Sequence, residues 1–258
     1  MSYAAALTDV KTSPAPSQSA LAADGVSVSY AAGQPILQDV DLSVPEGACY
    51  AIVGPSGSGK TTLLRALLGL LRPTRGSVSC LEGENLTPAT RRPVIGYIPQ
   101  NLGLVRNRTV RDNVLLGAIR RIPWWCSLTG RFPAHEVAHA EEALGWVGLA
   151  ERGEDAIESL SGGERRRVAI ARALLQQPRI LLADEFLAEL DKNTARDIEA
   201  LLRSLREKTG VTIVFVEHDI ETACRIADRV VVLVGGRKVA EVAAAQADPA
   251  RILELFKN

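Results

Sequence analysis

The sequence predicts an α/β fold with a mainly parallel sheet at its core, an antiparallel β subdomain beside it and a helical subdomain inserted into it. Three observations predict this architecture. Near-continuous apolar runs at Ala51–Val53, Ile180–Ala183, Thr212–Val216 and Val230–Val234 read as strands covered on both faces, the pattern of a parallel sheet. Alternating stretches at Val26-Ser27-Val28-Ser29-Tyr30 and Val40-Asp41-Leu42-Ser43-Val44 read as half-exposed strands, and Gly76 to Leu81 adds another. The middle of the chain, from about Val105 to Glu158, is helix-favouring and charged and carries Trp124, Trp125 and Trp146, which sets the helical insertion at about residues 102–160.

The first stretch, Met1 to Ala23, is rich in Ala, Ser and Pro and lacks the basic segment and long apolar core of a signal peptide, so it reads as a flexible tail. Residues 24–258 then form one domain, with enough chain for a substantial core. Thirty Lys and Arg against thirty Asp and Glu give a formal net charge of zero, so no global field recruits nucleic acid or anionic lipid. No apolar run reaches the roughly 18 residues that cross a bilayer, and no membrane anchor is expected. Cys49, Cys80, Cys126 and Cys224 are far apart and without metal-ligand spacing, as for reduced thiols in a cytosolic protein.

After the apolar run Cys49–Val53 comes Gly54-Pro55-Ser56-Gly57-Ser58-Gly59-Lys60-Thr61, which opens onto the helix-like run Thr62–Leu68. A glycine-rich turn between a buried strand and a helix N-terminus lets backbone N–H groups converge without side-chain obstruction, and the helix dipole adds positive charge. Gly54 to Thr62 therefore reads as a phosphate cradle and the core as that of a P-loop NTPase. Lys60 reaches the β- and γ-phosphates and the Thr61 hydroxyl suits Mg²⁺. Such loops serve kinases, GTPases and motors alike, and this one alone does not choose.

The apolar strand Ile180–Ala183 ends in Asp184-Glu185. Successive strand side chains point opposite ways, so the two acids divide the work: Asp184 for the metal shell, Glu185 for the water that attacks the γ-phosphate. Ala195, Ile198, Leu201, Leu202 and Leu205 recur at helical spacing between Asp191 and Thr209, and Gly210 closes that helix. Leu160-Ser161-Gly162-Gly163-Glu164 leads into a helix ended by Pro178 and is a second glycine-rich anion site. Two phosphate sites with one lysine-bearing loop suggest that the second serves a partner's nucleotide.

At this point the sequence resembles the ATP-binding cassette (ABC) ATPases, over roughly Asp24 to Gly236, with Leu160–Glu164 matching their signature motif. The resemblance implies two copies, a homodimer, sandwiching two ATP molecules with Mg²⁺. Each ATP is held by Tyr30, Lys60, Thr61 and Asp184 of one copy and Ser161, Gly162 and Gly163 of the other. Tyr30 matches the aromatic residue that stacks on adenine. Gln100, in Tyr97-Ile98-Pro99-Gln100, matches the glutamine that touches Mg²⁺ and the attacking water, and His218 the switch histidine on the γ-phosphate. The catalytic set so implied is Glu185, His218, Gln100 and Lys60, and the metal set Thr61, Gln100 and Asp184. The sequence departs from the family after the catalytic glutamate, where Phe186-Leu187-Ala188-Glu189-Leu190-Asp191 stands for the usual Pro-Thr-Ser-Ala-Leu-Asp.

His135-Glu136-Val137-Ala138-His139 matches a zinc-protease pattern, but in a polar helix it reads as a solvated face. Arg120-Arg121-Ile122-Pro123-Trp124-Trp125-Cys126-Ser127-Leu128 resembles an insert of phosphonate-importer ATPases. That resemblance implies a motor for uptake of phosphonate, phosphite or another small oxyanion, peripheral on the inner face of the cell membrane. Its partners would be integral membrane permease subunits and, through them, a periplasmic or lipoprotein solute-binding protein; no nucleic acid is implied. Motors for a different solute, or for export, stay open. A soluble ABC protein acting on DNA or ribosomes is the other class, and such chains typically carry long coiled coils or two cassettes.

Overall fold

The computed structural model describes residues 19–29, 33–81, 94–187 and 190–257. In order the chain forms β1 (Ser19–Ser29), β2 (Pro35–Pro45), β3 (Cys49–Val53), α1 (Lys60–Leu67), β4 (Arg75–Cys80) and β5 (Ile95–Ile98). There follow α2 (Val110–Leu115), α3 (Trp124–Thr129), α4 (Ala134–Trp146), α5 (Gly162–Leu175), β6 (Ile180–Asp184) and α6 (Lys192–Thr209). The chain ends with β7 (Thr212–Val216), α7 (Ile220–Ile226), β8 (Arg229–Val234), β9 (Arg237–Ala243) and α8 (Pro249–Leu255).

The aliphatic runs build the central sheet, ordered β5-β6-β7-β3-β8-β9, in which every neighbouring pair is parallel except the antiparallel β8–β9. All residues of β3, β6 and β7 are buried, because both faces are covered. The two-residue period sorts them. Ala51, Val53, Leu181, Ala183, Ile213 and Phe215 join the helical side of the core. Tyr50, Ile52, Leu182, Val214 and Val216 face α1 and the antiparallel sheet β2-β1-β4. Among the described residues no helix is long and apolar enough to cross a membrane. None of the four cysteines is in a disulfide.

Two strands escaped the sequence reading, and one boundary moves. β5 has only four residues, one of them Gly96, where an added Cβ would stand 3.1 Å from the Pro178 ring. β9 is a partly exposed edge strand with charged residues, so it lacks the apolar signature. Ser19–Ala23, assigned to the tail by composition, begin β1 instead: Leu21 pairs with Val44 on one side and Cys80 on the other. Small alanines hid the alternation, yet Ala20 and Leu21 are fully buried. The rest of the expected tail, together with Tyr30 and Ala188, lies outside the described residues.

Between β5 and α5 the chain is helical. Val110, Val114, Ala140, Ala143 and Leu144 of α2 and α4 pack with Val168, Ile170 and Ala171 of α5. Trp124 and Trp125 of α3 stay exposed, whereas Trp146 is half-buried under the Lys208 ammonium, 5.3 Å from its ring centre. The expected solvated face of α4 is corrected at its centre. Glu136 is only 2% exposed, and Arg121 grips it with Nε–Oε1 at 2.9 Å and Nη2–Oε2 at 2.6 Å. That fork occupies the carboxylate a metalloprotease reading would require as a base.

Burial pushes the Glu136 carboxyl up, but the Arg121 hydrogen bonds and charge, with His139 adding, hold it below its ordinary value. A depressed carboxylate stabilises the fold fully above the ordinary carboxylate range and loses that contribution as pH falls through its folded value. Arg121→Met leaves the carboxylate buried without its partner. We expect a loss of about 2–4 kcal/mol at pH 7, shrinking at pH 4, in urea unfolding. Equal losses at both pH values would show that the ion pair does not stabilise this lobe.

Candidate nucleotide site

The parallel register carries three loops to one edge of the sheet. Ile52 pairs with Val216, and Val216 with Asp184, so β3, β6 and β7 end side by side. Loop 54–59, the acids Asp184 and Glu185, and the turn 217–219 therefore meet at the strands' carboxyl ends, where open α/β sheets bind ligands.

Close approach fixes loop 54–59. A Cβ at Gly54 would stand 2.0 Å from the Leu233 carbonyl oxygen, and one at Gly59 (φ +100°) 2.7 Å from the Leu37 side chain. Gly236 N–H donates to the Ser58 carbonyl (3.1 Å) and Gln38 N–H to the Gly236 carbonyl (2.8 Å), tying the loop to the β8–β9 turn and to β2. No side chain caps α1 behind Gly59, so its first N–H groups stay available to an anion. Gly57 is left-handed (φ +78°) with open space around it, so its backbone can meet a phosphate unobstructed.

Lys60 is 5% exposed, and its ammonium lies back on its own loop, donating to the Gly54 and Pro55 carbonyls at 2.9 and 3.0 Å. Burial lowers its pKa, opposed by the charges of Glu185, Asp184 and Glu217. The Thr61 hydroxyl donates to Asp184 Oδ1 at 3.2 Å. Asp184 is 3% exposed, and burial raises its pKa; the Thr61 hydrogen bond works against this and the neighbouring Glu185 charge adds to it. A hydroxyl and a carboxylate side by side below loop 54–59 are a donor pair that fits a hard divalent cation.

Glu185 leaves the strand in a left-handed conformation (φ +47°), its N–H held by the Val216 carbonyl at 3.1 Å. Gln100 Nε2 donates to its Oε2 at 2.7 Å, and His218 Nε2 lies 2.6 Å from its Oε1. Gln100 therefore faces Glu185 and is not joined to the Thr61–Asp184 pair.

The second glycine turn stands apart. Among the described residues no hydrogen bond or ion pair joins Ser161, Gly162 or Gly163 to loop 54–62. Ser161 caps α5 in a reciprocal box: Glu164 N–H donates to Ser161 Oγ (3.2 Å) and Ser161 N–H to Glu164 Oε2 (2.8 Å). Those bonds, with Arg152 at 2.8 Å from Glu164 Oε1, hold the Glu164 carboxyl below its ordinary range. Gly163 packs against Thr194, whose Cγ2 would be 2.3 Å from an added Cβ. Asp191 caps α6, accepting from Asn193 and Thr194 N–H at 3.0 Å each. Phe186, the odd residue after Glu185, is buried edge-to-face on Phe215 with centroids 6.4 Å apart. Arginines of α5 reach neighbouring carbonyls: Arg172 those of Leu102 and Gly103, Arg166 that of Phe186, and Arg167 that of Val147.

The sequence reading missed Glu217. It is 4% exposed, burial raises its pKa, and its Oε1 accepts from the His218 and Asp219 N–H groups at 2.8 and 3.3 Å. A single acid before a histidine gave no pattern to find it by.

The family described as ABC transporter matches residues 37–188. The chain is 38% identical over 239 residues to "Phosphonates import ATP-binding protein PhnC 2" of Synechococcus sp. (strain JA-2-3B'a(2-13)), covering 90% of this chain and 88% of that protein. It is 42% identical over 216 residues to "Phosphonates import ATP-binding protein PhnC" of Stutzerimonas stutzeri, covering 80% and 78%. Among solved structures, cbiO1 from Clostridium perfringens, part of the ABC transporter complex cbiONQ, superposes with TM-score 0.79 at 26% identity, covering 92% of this chain and 95% of that one. The dimeric bacterial ABC transporter cassette MJ0796 does so with TM-score 0.74 at 33% identity, covering 87% and 98%.

The contact at Gly54 is with backbone, which cannot swing aside. Gly54→Ala should therefore displace the loop and weaken ATP binding about tenfold or more in calorimetric titration, whereas Gly57→Ala, strained but unobstructed, should lose less. Wild-type affinity in Gly54→Ala would refute the seating of the loop on β8.

Proposed function

Because the chain belongs to the ABC transporter family, whose cassettes hydrolyse ATP to drive transport, we propose that it is the motor of an importer for a phosphonate-like oxyanion. The observation that carries the mechanism is the meeting of Lys60, the Thr61–Asp184 pair and the Glu185 carboxylate at one edge of the sheet. The substrate class rests on the relatives named as phosphonate import proteins.

In this reading the backbone of Gly54–Thr62 and the Lys60 ammonium bind the β- and γ-phosphates. Tyr30 stacks on adenine. Thr61 and Asp184, with Gln100, would hold Mg²⁺, which would neutralise phosphate charge and polarise the phosphoryl oxygens. Lys60 leaves the two carbonyls that hold it and turns to the phosphates; their negative charge favours its protonated form against burial. Glu185 orients water and takes its proton, and His218 steadies the γ-phosphate and the glutamate together.

Among the described residues nothing bonds Ser161, Gly162 or Gly163 to loop 54–62 of their own chain, which supports their serving the ATP of a second copy in a homodimer. The closed pair is favoured by ATP through differential binding and opens once the γ-phosphate is cleaved. Gln100 and the segment after it meet the integral permease, which positions the motor at the cytosolic face of the membrane and couples it to a solute-binding protein outside.

Glu185→Gln should bind ATP with wild-type affinity and hydrolyse it about 10²–10⁴-fold more slowly in phosphate-release assays. Wild-type turnover would remove Glu185 from its role. The transport reading is tested by reconstituting the chain with its neighbouring permease in proteoliposomes. Methylphosphonate with the solute-binding protein should stimulate ATP hydrolysis and accumulate inside. Stimulation by an unrelated solute alone would leave the cassette standing and overturn the substrate.

A further inference from the structure

The switch residue His218 is 42% exposed at its side chain, so packing alone does not aim its ring. Its direction comes from the turn that carries it, and that turn is bracketed by two acids. On the far side, Asp219 caps α7, accepting from Glu221 N–H at 3.1 Å and Thr222 Oγ1 at 2.6 Å. On the near side, Glu217 is anchored to the strand before the phosphate loop, its N–H donating to the Ile52 carbonyl at 3.2 Å. Its side chain folds over the turn, and one oxygen takes the N–H groups of both His218 and Asp219. The other oxygen, Oε2, is buried with no hydrogen-bond partner among the described residues. A half-satisfied buried carboxyl is an unfavourable filler where an apolar side chain could sit. Beneath the turn lies a cavity of about 470 Å³, lined among others by Leu187, Leu190, Glu217, Thr222 and Arg225. The turn is anchored at both ends, and the two bonds from the Glu217 side chain are what hold its 218 and 219 N–H groups.

We propose that Glu217 is a positioning residue for ATP hydrolysis, its side chain fixing the 218–219 peptides so that the His218 ring meets the Glu185 carboxylate. The inference rests on the role given to His218 above. Burial, which raises the Glu217 pKa, is compatible with it: a protonated carboxyl keeps a carbonyl oxygen that accepts both N–H groups. Glutamine keeps such an oxygen too, and alanine does not.

The test compares Glu217→Gln, Glu217→Ala, His218→Ala and Glu217→Ala/His218→Ala in the permease complex, with ATP affinity measured alongside. Glu217→Ala should lower kcat on the order of ten- to a hundredfold with ATP affinity unchanged, and Glu217→Gln should restore turnover. In the double variant the alanine should add nothing to the loss from His218→Ala, since both act through one ring. In the free protein, the ring carbon resonance of His218, one of three histidines and assigned by its loss in His218→Ala, should move in Glu217→Ala and stay in Glu217→Gln. Full turnover in Glu217→Ala, additive losses, or an unmoved resonance would overturn the proposal. Wild-type turnover in His218→Ala would instead overturn the role of the histidine, and the resonance would then decide on positioning by itself.

Discussion

Both oxygens of Glu185 are occupied, one by Gln100 and one by His218, and the rest of the site depends on that double hold. The residue stands just past β6 in a backbone conformation that side chains rarely adopt, kept there by the Val216 carbonyl. The reversal separates two adjacent acids. Asp184, still in the strand, meets Thr61 under loop 54–59, while Glu185 turns towards Gln100 and His218, which come from the ends of two other strands. Three elements remote in sequence are thereby joined through one carboxylate, and Lys60 lies within the field of both acids.

Much of this was legible in the sequence, because the parts proposed to bind phosphate are built from backbone and so leave a glycine pattern. The 54–61 loop, the 160–164 turn and the apolar strands that lead to the site needed only spacing and periodicity. Strand alternation predicts that Asp184 and Glu185 point opposite ways, whereas the chain separates them by ending the strand at Asp184 and turning. Strand β5, short and interrupted by Gly96, and strand β9, charged and at an edge, had too little apolar signal to register. Compositional bias concealed Ser19–Ala23, since a run of alanines looks the same in a tail as in a strand packed tightly against its neighbours.

Side chains whose role comes from a distant partner were not legible. Glu136 looked like part of a solvated face and is buried because Arg121, fifteen residues earlier, reaches it. Phe186 looked like a departure from a motif; its ring fills space against Phe215, a residue of β7, so its identity answers to the core as well as to the loop. Glu217 carries no motif at all, and only the fold reveals that its carboxyl oxygen accepts the N–H groups of the turn beside it.

The arginines of α5 have a consequence for how the lobes are joined. Arg166, Arg167 and Arg172 reach peptide carbonyls at Phe186, Val147, and Leu102 with Gly103, on both sides of the helix that Ser161 caps. A carbonyl neither titrates nor gathers counterions, unlike the carboxylate of an ordinary ion pair. Joints of this kind lose less to added salt or falling pH than arginine–carboxylate pairs do. High salt or low pH would thus weaken the surface ion pairs, Arg167–Asp197 among them, before it loosens these contacts between the lobes.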